Sequence, residues 1–267
     1  MQIADKVFVV TGGGNGMGRE VVLQLIQRGA RVAAVDLSEA GLAETVALAG
    51  ATEGRLTTHA VNVADRDAVL ALPDTVIKAH GQVDGLFNVA GIIQPFVKLE
   101  ELGFDVIERV MNVNFWGVVN MSKAFLPHLL ARPESGLLNV SSMGGFLPVP
   151  GQAAYGASKA AVKLFTEALF AETQGTPLAV TVVFPGGVAT NITTNSGVDM
   201  PRMAASTGKQ PKATSAADAG RQIVQAMEKG AFRATIGGDA RLMDRLARLA
   251  PRRATLLIAS QMKSLLG

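Results

Sequence analysis

The sequence predicts an α/β protein built on one doubly wound parallel sheet. Three observations lead there. Short runs that are apolar along their whole length recur through the chain, with helical patterns between them. Strands of that kind need cover on both faces, which helices on either side of a parallel sheet provide. The first run passes through a glycine cluster, TGGGNGMG (Thr11 to Gly18), into a helix, and the second ends on an acid, Asp36.

In chain order, KVFVVT (Lys6 to Thr11) is a short apolar run and reads as a buried strand. A helical pattern runs from Arg19 to Arg28, RVAAVD (Arg31 to Asp36) is the second strand, and Ser38 to Ala49 the second helix. RLTTHAV (Arg55 to Val61), VDGLFNV (Val83 to Val89), GLLNVS (Gly136 to Ser141) and LAVTVVF (Leu178 to Phe184) are further strands. Helices are expected over Asp65 to His80, Phe104 to Arg132 with a break, Gln152 to Thr173 and Ala216 to Lys229, before FRATIG (Phe232 to Gly237). No linker or 20–50-residue repeat interrupts the alternation, so 1–267 reads as a single domain.

Composition narrows the function classes. Of 267 residues, 48% are hydrophobic and 18% charged, a folded composition. Aromatics at 5% leave few stacking platforms for single-stranded nucleic acid. The chain has no cysteine, so disulfides and thiolate metal sites are excluded, and its histidines, His59, His80 and His128, lie far apart; no metal is expected. No leader-like start and no run of 18 apolar residues is present, so a cytoplasmic protein without a transmembrane segment is expected. The net charge of +3 is local. Residues 239–267 carry six basic and two acidic side chains, or +4, which leaves −1 for the rest. The basic balance belongs to the tail, which weakens any case for nucleic-acid binding by the body.

A doubly wound sheet binds ligands at the carboxyl ends of its strands. In the first such loop the glycines let the backbone approach a pyrophosphate, and the next helix offers free N–H groups. Asp36 can accept ribose hydroxyls and would repel a 2′-phosphate; a helix N-cap is its other reading. Neither Arg nor Lys stands at Asn15, Met17 or Leu37 to receive such a phosphate, so NAD is favoured over NADP. Later loops bring Asn62 and Val63, which could meet an adenine, then NVAG (Asn88 to Gly91), Ser141 and Ser142, and PGGVAT (Pro185 to Thr190).

Tyr155 is the only tyrosine, although the chain has 11 phenylalanines. Lys159 follows at i+4 and shares its helix face. A nearby ammonium favours the phenolate and should lower the phenol's pKa, making it a usable acid or base.

TGGGNGMG, Asp36, NVAG, Asn114, Ser142, Y-x-x-x-K and P-G together resemble the short-chain dehydrogenase/reductase family, in its single-domain branch. The likeness spans Lys6 to about Thr190. It implies a Rossmann-like sheet of about seven strands in the order 3-2-1-4-5-6-7. Thr11, Gly12, Gly16 and Gly18 match the cofactor turn TGxxxGxG, with Asn15 and Met17 inside it. Asp36, with Leu37 beside it, matches the NAD-selecting acid. Asn88, Ala90 and Gly91 match the NxAG that steadies the sheet beside the cofactor. Asn114 matches the support of a water relay, and Ser142 the serine that hydrogen-bonds the substrate oxygen. Tyr155 matches the general acid/base. Lys159 matches the lysine that lowers its pKa and holds the nicotinamide ribose. Pro185, Gly186, Val188 and Thr190 match the segment holding the nicotinamide amide. Asn62 stands where relatives usually carry Asp. Ser142 is preferred to Ser141 by family spacing alone. Relatives that reduce enoyl thioesters place Lys seven positions after Tyr, where this chain has Val162. A homotetramer or homodimer is the family habit.

The expected substrate is an apolar secondary alcohol or ketone, because Ile92, Ile93, Gln94, Pro95, Phe96, Met143, Phe146, Leu147 and Val149 flank the chemistry. Simple core packing explains the same residues. Residues 191–214 read as a lid-like loop carrying Arg202, Lys209 and Lys212. In the basic helical tail, 239–267, Leu242, Leu246 and Leu249 share a face, which suits a subunit interface, a lid or a membrane-surface helix. Two rivals are an NAD-binding sensor without catalysis and a serine hydrolase. The Asn114, Ser142, Tyr155 and Lys159 set argues against the first, and the lack of G-x-S-x-G against the second.

Overall fold

The computed structural model describes residues 1–50, 54–198 and 213–262. Its strands are β1 (Val7–Thr11), β2 (Arg31–Asp36), β3 (Leu56–Ala60), β4 (Gly85–Asn88), β5 (Ser135–Val140), β6 (Leu178–Pro185), β7 (Val188–Ala189), β8 (Thr214–Ser215) and β9 (Arg233–Ile236). Its helices are α1 (Gly16–Gln27), α2 (Glu39–Ala49), α3 (Arg66–His80), α4 (Phe104–Met111), α5 (Gly117–Leu130), α6 (Ala153–Glu172), α7 (Ile192–Asn195), α8 (Ala216–Glu228), α9 (Gly238–Leu249) and α10 (Pro251–Gln261).

Seven strands form one parallel sheet in the order β3-β2-β1-β4-β5-β6-β9. This is the expected order, with β9 as the seventh strand. A small parallel pair, β7 with β8, was not foreseen; two-residue strands carry no periodicity to read. The central strands β1, β4 and β5 are buried throughout, as their unbroken apolar runs require, whereas edge strand β3 is half-exposed. One core lies between the sheet and α1 and α8, around Phe8, Leu25 and Ile223. A second fills the other face under α3, α5 and α6, around Val76, Phe125 and Leu169.

Caps fix the helix starts. Ser38 Oγ accepts the Gly41 N–H, Asp65 Oδ1 that of Ala68, and Ser215 Oγ that of Asp218. Left-handed glycines, Gly50 and Gly81, end α2 and α3. Three expectations shift. First, α1 begins at Gly16 rather than Arg19. Packing overrides glycine's poor helix propensity there, since a Cβ on Gly18 would collide with the Gly12 carbonyl. Second, the break expected between Phe104 and Arg132 is a π-helical turn over Asn112–Trp116 that joins α4 to α5.

The tail is the third. It forms two helices, because Pro251 lacks an N–H and pushes Ala250 out of helical geometry (φ −144°). Its packed face is Met243, Ala254 and Ile258, with Leu246 alongside. Leu242 and Leu249, expected on one face with Leu246, are instead 66% and 86% exposed. Arg202, Lys209, Lys212 and the tail beyond residue 262 lie outside the described residues. No described helix is long and apolar enough to cross a membrane.

Candidate active site

The carboxyl ends of β1, β2 and β4 open on a cleft of about 400 Å³. Its floor is the glycine turn. Gly12 takes φ +71°, and a Cβ there would stand 3.0 Å from Ala90 N. Gly16 takes φ +52°, and a Cβ on it would touch Thr190 at 3.4 Å, so the segment after β6 closes over the turn. Asn15 precedes α1 in extended geometry, and no side chain caps the helix. The N–H groups of that first turn face a glycine-lined cradle, which suits a pyrophosphate.

Asp36 stands on the cleft wall. Its Oδ2 accepts the Gly14 N–H at 2.9 Å and its Oδ1 the Ser38 N–H at 2.9 Å. The N-cap of α2 is Ser38, so Asp36 does not serve that alternative role. Each carboxylate oxygen keeps acceptor capacity for a ribose hydroxyl. Met17, Leu37, Asn62, Val63 and Gly91 also line the cleft. Asn62 Oδ1 accepts the Ala64 N–H, which turns the amide N–H₂ end away from that bond and leaves it as a donor.

Thr11 and Asn88 do not line it. Both are buried behind it and hold the strand ends. Thr11 Oγ1 accepts the N–H groups of Val89 and Ala90 at 3.0 and 3.1 Å. Asn88 Nδ2 donates to Asn139 Oδ1 at 2.8 Å, and Asn139 Nδ2 donates to Thr166 on α6. Pro185, Gly186 and Val188 also fall outside the lining, whereas Thr190 reaches it.

Gly91 is where the cleft meets the remaining candidates. A Cβ on it would lie 3.1 Å from Lys159 Nζ and 3.2 Å from Asn114 Oδ1. Asn114 sits in the π turn, buried, with its amide fully engaged. Its Oδ1 accepts the Ile92 N–H at 2.8 Å, and its Nδ2 donates to Ile92 O at 2.9 Å and Ser158 Oγ at 3.0 Å. Ser158 Oγ in turn donates to Tyr155 O. Lys159 is buried, and its Nζ donates to Val140 O at 3.1 Å. Tyr155 is half-buried, and a Cβ on Gly144 would lie 3.4 Å from its Cε1 and 3.5 Å from Ser142 Oγ.

The structure separates the two adjacent serines. Ser141 Oγ donates to Lys159 O at 2.7 Å and is buried, a packing role. Ser142 Oγ accepts the Gly144 N–H and stands beside the phenol, whose pKa it lowers.

The expected electrostatics need correction. Burial pushes the Tyr155 phenol above its ordinary pKa, and the Ser142 hydrogen bond offsets this in part. Lys159, with Nζ 6.0 Å from the ring centroid, is itself lowered by burial to about 8. Desolvation penalises each charged form, so here it outweighs the lowering of the phenol expected from the i+4 ammonium.

Of the residues flanking the chemistry, Ile93, Gln94 and Leu147 are buried in packing and are not pocket walls. Gln94 serves another purpose. Its Oε1 accepts the Tyr155 N–H at 3.0 Å and its Nε2 donates to Gly151 O at 3.0 Å. Gln94 thus caps α6 from 61 residues away. Ser158 and Gln94 were missed as site residues. Ser158 lies inside the YGASK motif and could have been found by its i+3 spacing from Tyr155. Gln94 has no local signal.

Known proteins of this shape carry related chemistry. The family model described as short chain dehydrogenase matches residues 6–200. The oxidoreductase SadH of Mycobacterium tuberculosis, named as putative, is 40% identical over 250 residues, 91% of this chain and 90% of SadH. The 3-oxoacyl-[acyl-carrier-protein] reductase FabG of Thermotoga maritima is 34% identical, covering 72% of this chain and 78% of its own. A short-chain dehydrogenase/reductase from Burkholderia phymatum, solved in complex with NAD, superposes with a TM-score of 0.81 at 25% identity, over 93% of this chain and 96% of that one. With these matches over a Rossmann-like sheet, the chain belongs to the short-chain dehydrogenase family and is a nicotinamide-dependent oxidoreductase of CH–OH groups.

Proposed function

We propose that the protein is a single-domain, NAD-dependent enzyme that interconverts an apolar secondary alcohol and its ketone, with Tyr155 as general acid/base. The observation that carries this reading is that Tyr155 and Ser142 meet at Gly144 while buried Lys159 reaches Gly91, at the edge of a glycine-floored cleft lined by Asp36. Asp36 favours NAD over NADP. The nearby cation Arg19 does not line the cleft; it is paired with Glu44 at 2.6 Å and bonded to Gly14 O.

The glycine turn and α1 would hold the pyrophosphate, Asp36 the adenosine ribose, Lys159 the second ribose, and Thr190 the amide end. When bound, the nicotinamide takes up or returns the hydride. The chain's own work is done on the proton and the oxygen. Tyr155 Oη, kept protonated by its raised pKa, gives its proton to the ketone oxygen in reduction, and in oxidation it takes the alcohol proton once it has lost its own. Ser142 Oγ hydrogen-bonds the same substrate oxygen and stabilises charge developing there. Asn114 fixes Ile92 and Ser158 on either side of Lys159. Ile92 lines the cleft, and half-exposed Met143, Phe146 and Val149, packed against the tail helices, follow Ser142 closely in the chain; these support an apolar substrate.

The test is reduction of NAD and NADP, separately, with a panel of secondary alcohols. Turnover is expected with NAD, and Tyr155→Phe is expected to lower kcat by at least about 10²-fold while NADH still binds. A variant keeping more than about a tenth of wild-type kcat would remove Tyr155 from the chemistry.

A further inference from the structure

The first tail helix meets the loop after β6 at one charged point. That loop begins Pro185-Gly186-Gly187 and leads through Val188 to Thr190, which reaches the cleft and packs on Gly16. Asp239, in the first turn of α9, reaches out of its own helix. Its Oδ2 accepts the Gly187 N–H at 2.7 Å. The Gly187 carbonyl accepts the Thr214 N–H at 2.8 Å, so both backbone polar groups of Gly187 are held.

The surroundings are built for that carboxylate. A Cβ on Gly186 would collide with it, and one on Gly237 would lie 2.6 Å from Asp239 Oδ1. Gly237 takes φ +94°, which turns the chain from β9 into α9 so that Asp239 faces the loop. An acid that served only the helix dipole would need none of this clearance. The same helix pair also grips the loop after β5. Met243, Ala254 and Ile258 bury Leu147, with Met143, the residue after Ser142, against the same cluster.

We propose that Asp239 is a positioning residue for the nicotinamide side of the cleft. By fixing Gly187 it sets where Val188 to Thr190 stand, and through it the C-terminal helices become part of the site rather than an appendage. The inference rests on reading the cleft as a dinucleotide site. It carries a sharp consequence, because the groups that Asp239 bonds or crowds are Gly186, Gly187 and Gly237, and not Asp36 or the glycine turn, which would hold the adenosine half. Removing the carboxylate should weaken binding of the nicotinamide half and spare the adenosine half.

The experiment measures Kd for NADH by its fluorescence and for ADP-ribose by calorimetry, on the full-length chain. Asp239→Ala is expected to weaken NADH about tenfold, as losing the hydrogen bond to a charged group that fixes the loop does, and to change ADP-ribose less than about twofold. Asp239→Asn keeps an acceptor and is expected within about threefold of wild type for NADH. If Asp239→Ala does not fold, Asp239→Glu, which displaces the carboxylate by one methylene, takes its place with the same split expected. Equal loss of both ligands, or loss of neither, overturns the inference. Failure of the wild type to bind either ligand overturns the dinucleotide reading instead.

Discussion

Lys159 shows how one residue trades stability for chemistry. Its ammonium is buried under the sheet ends with a single backbone partner, Val140 O. Burial lowers it from 10.5 to about 8. The unfolded chain keeps the ordinary value, so between about pH 8 and 10.5 the unfolded state binds more proton, and this group's contribution to stability rises with pH across that window. Below pH 8 both states are protonated and the fold bears the full cost of the buried charge, on the order of 3 kcal/mol. Lys159→Met is therefore expected to melt above wild type at pH 7, with the gap closing as pH approaches 10.5. Paired melting curves across that range check it. A variant that melts below wild type at pH 7, with a gap that ignores pH, would mean that the Val140 bond outweighs the desolvation. The proposed function gives that cost a use, since a cation beside Gly91 would hold a ribose hydroxyl of the cofactor.

At the scale of elements, α6 carries both Tyr155 and Lys159, so its start must be fixed. Gln152, at its N-cap, makes no capping bond to the helix. Gln94 supplies the acceptor for Tyr155 N–H, and Gln152 Nε2 donates to Gln94 O, which ties the two segments together. Gln94→Leu should fill the space but leave the Tyr155 N–H without a partner, at a cost of about 1–2 kcal/mol. Melting temperature is expected to fall by several degrees, and kcat to fall more than KM rises, because the phenol's place and not the cleft is disturbed. Unchanged kcat in a destabilised variant would confine Gln94 to a packing role. This bond also marks where sequence reading stops. The strands, their order, the glycine turn, Asp36 and the Tyr155–Lys159 face were legible because each rests on spacing within a few residues or on a family pattern. Gln94 to Tyr155 and Asp239 to Gly187 span 61 and 52 residues, and no local periodicity encodes them. The phenol's pKa was misjudged for the same reason. Spacing reveals that an ammonium is near, but not how much water the fold removes from both groups.

The whole molecule presents apolar side chains that one copy of the chain leaves in water. Phe104 on α4 is 83% exposed, Trp116 at the end of the π turn 44%, and Leu164 on α6 67%. These elements are neighbours: α4 and the π turn both pack against α6, and Phe115 meets Phe165 edge-on at 6.2 Å between centroids. Large apolar groups gathered on adjacent elements are better explained by a covering partner than by scattered exposure. A second copy of the chain would be such a partner, since a twofold contact along α4 and α6 would place like apolar groups against one another without stacking the arginines of the tail. The tail could not self-associate so easily: Arg241, Arg245, Arg252 and Arg253 are exposed there, beside only two acids, Asp239 and Asp244. A homo-oligomer built through α4 and α6 predicts that Phe104→Asp combined with Leu164→Glu lowers the mass seen by light scattering at least twofold. NADH affinity should then hold within about threefold, because neither Phe104 nor Leu164 lines the cleft. A wild type that is already monomeric at micromolar concentration would remove this interface. A double variant that loses both assembly and NADH binding would show instead that the dimer contact supports α6, and with it the seat of Tyr155 and Lys159.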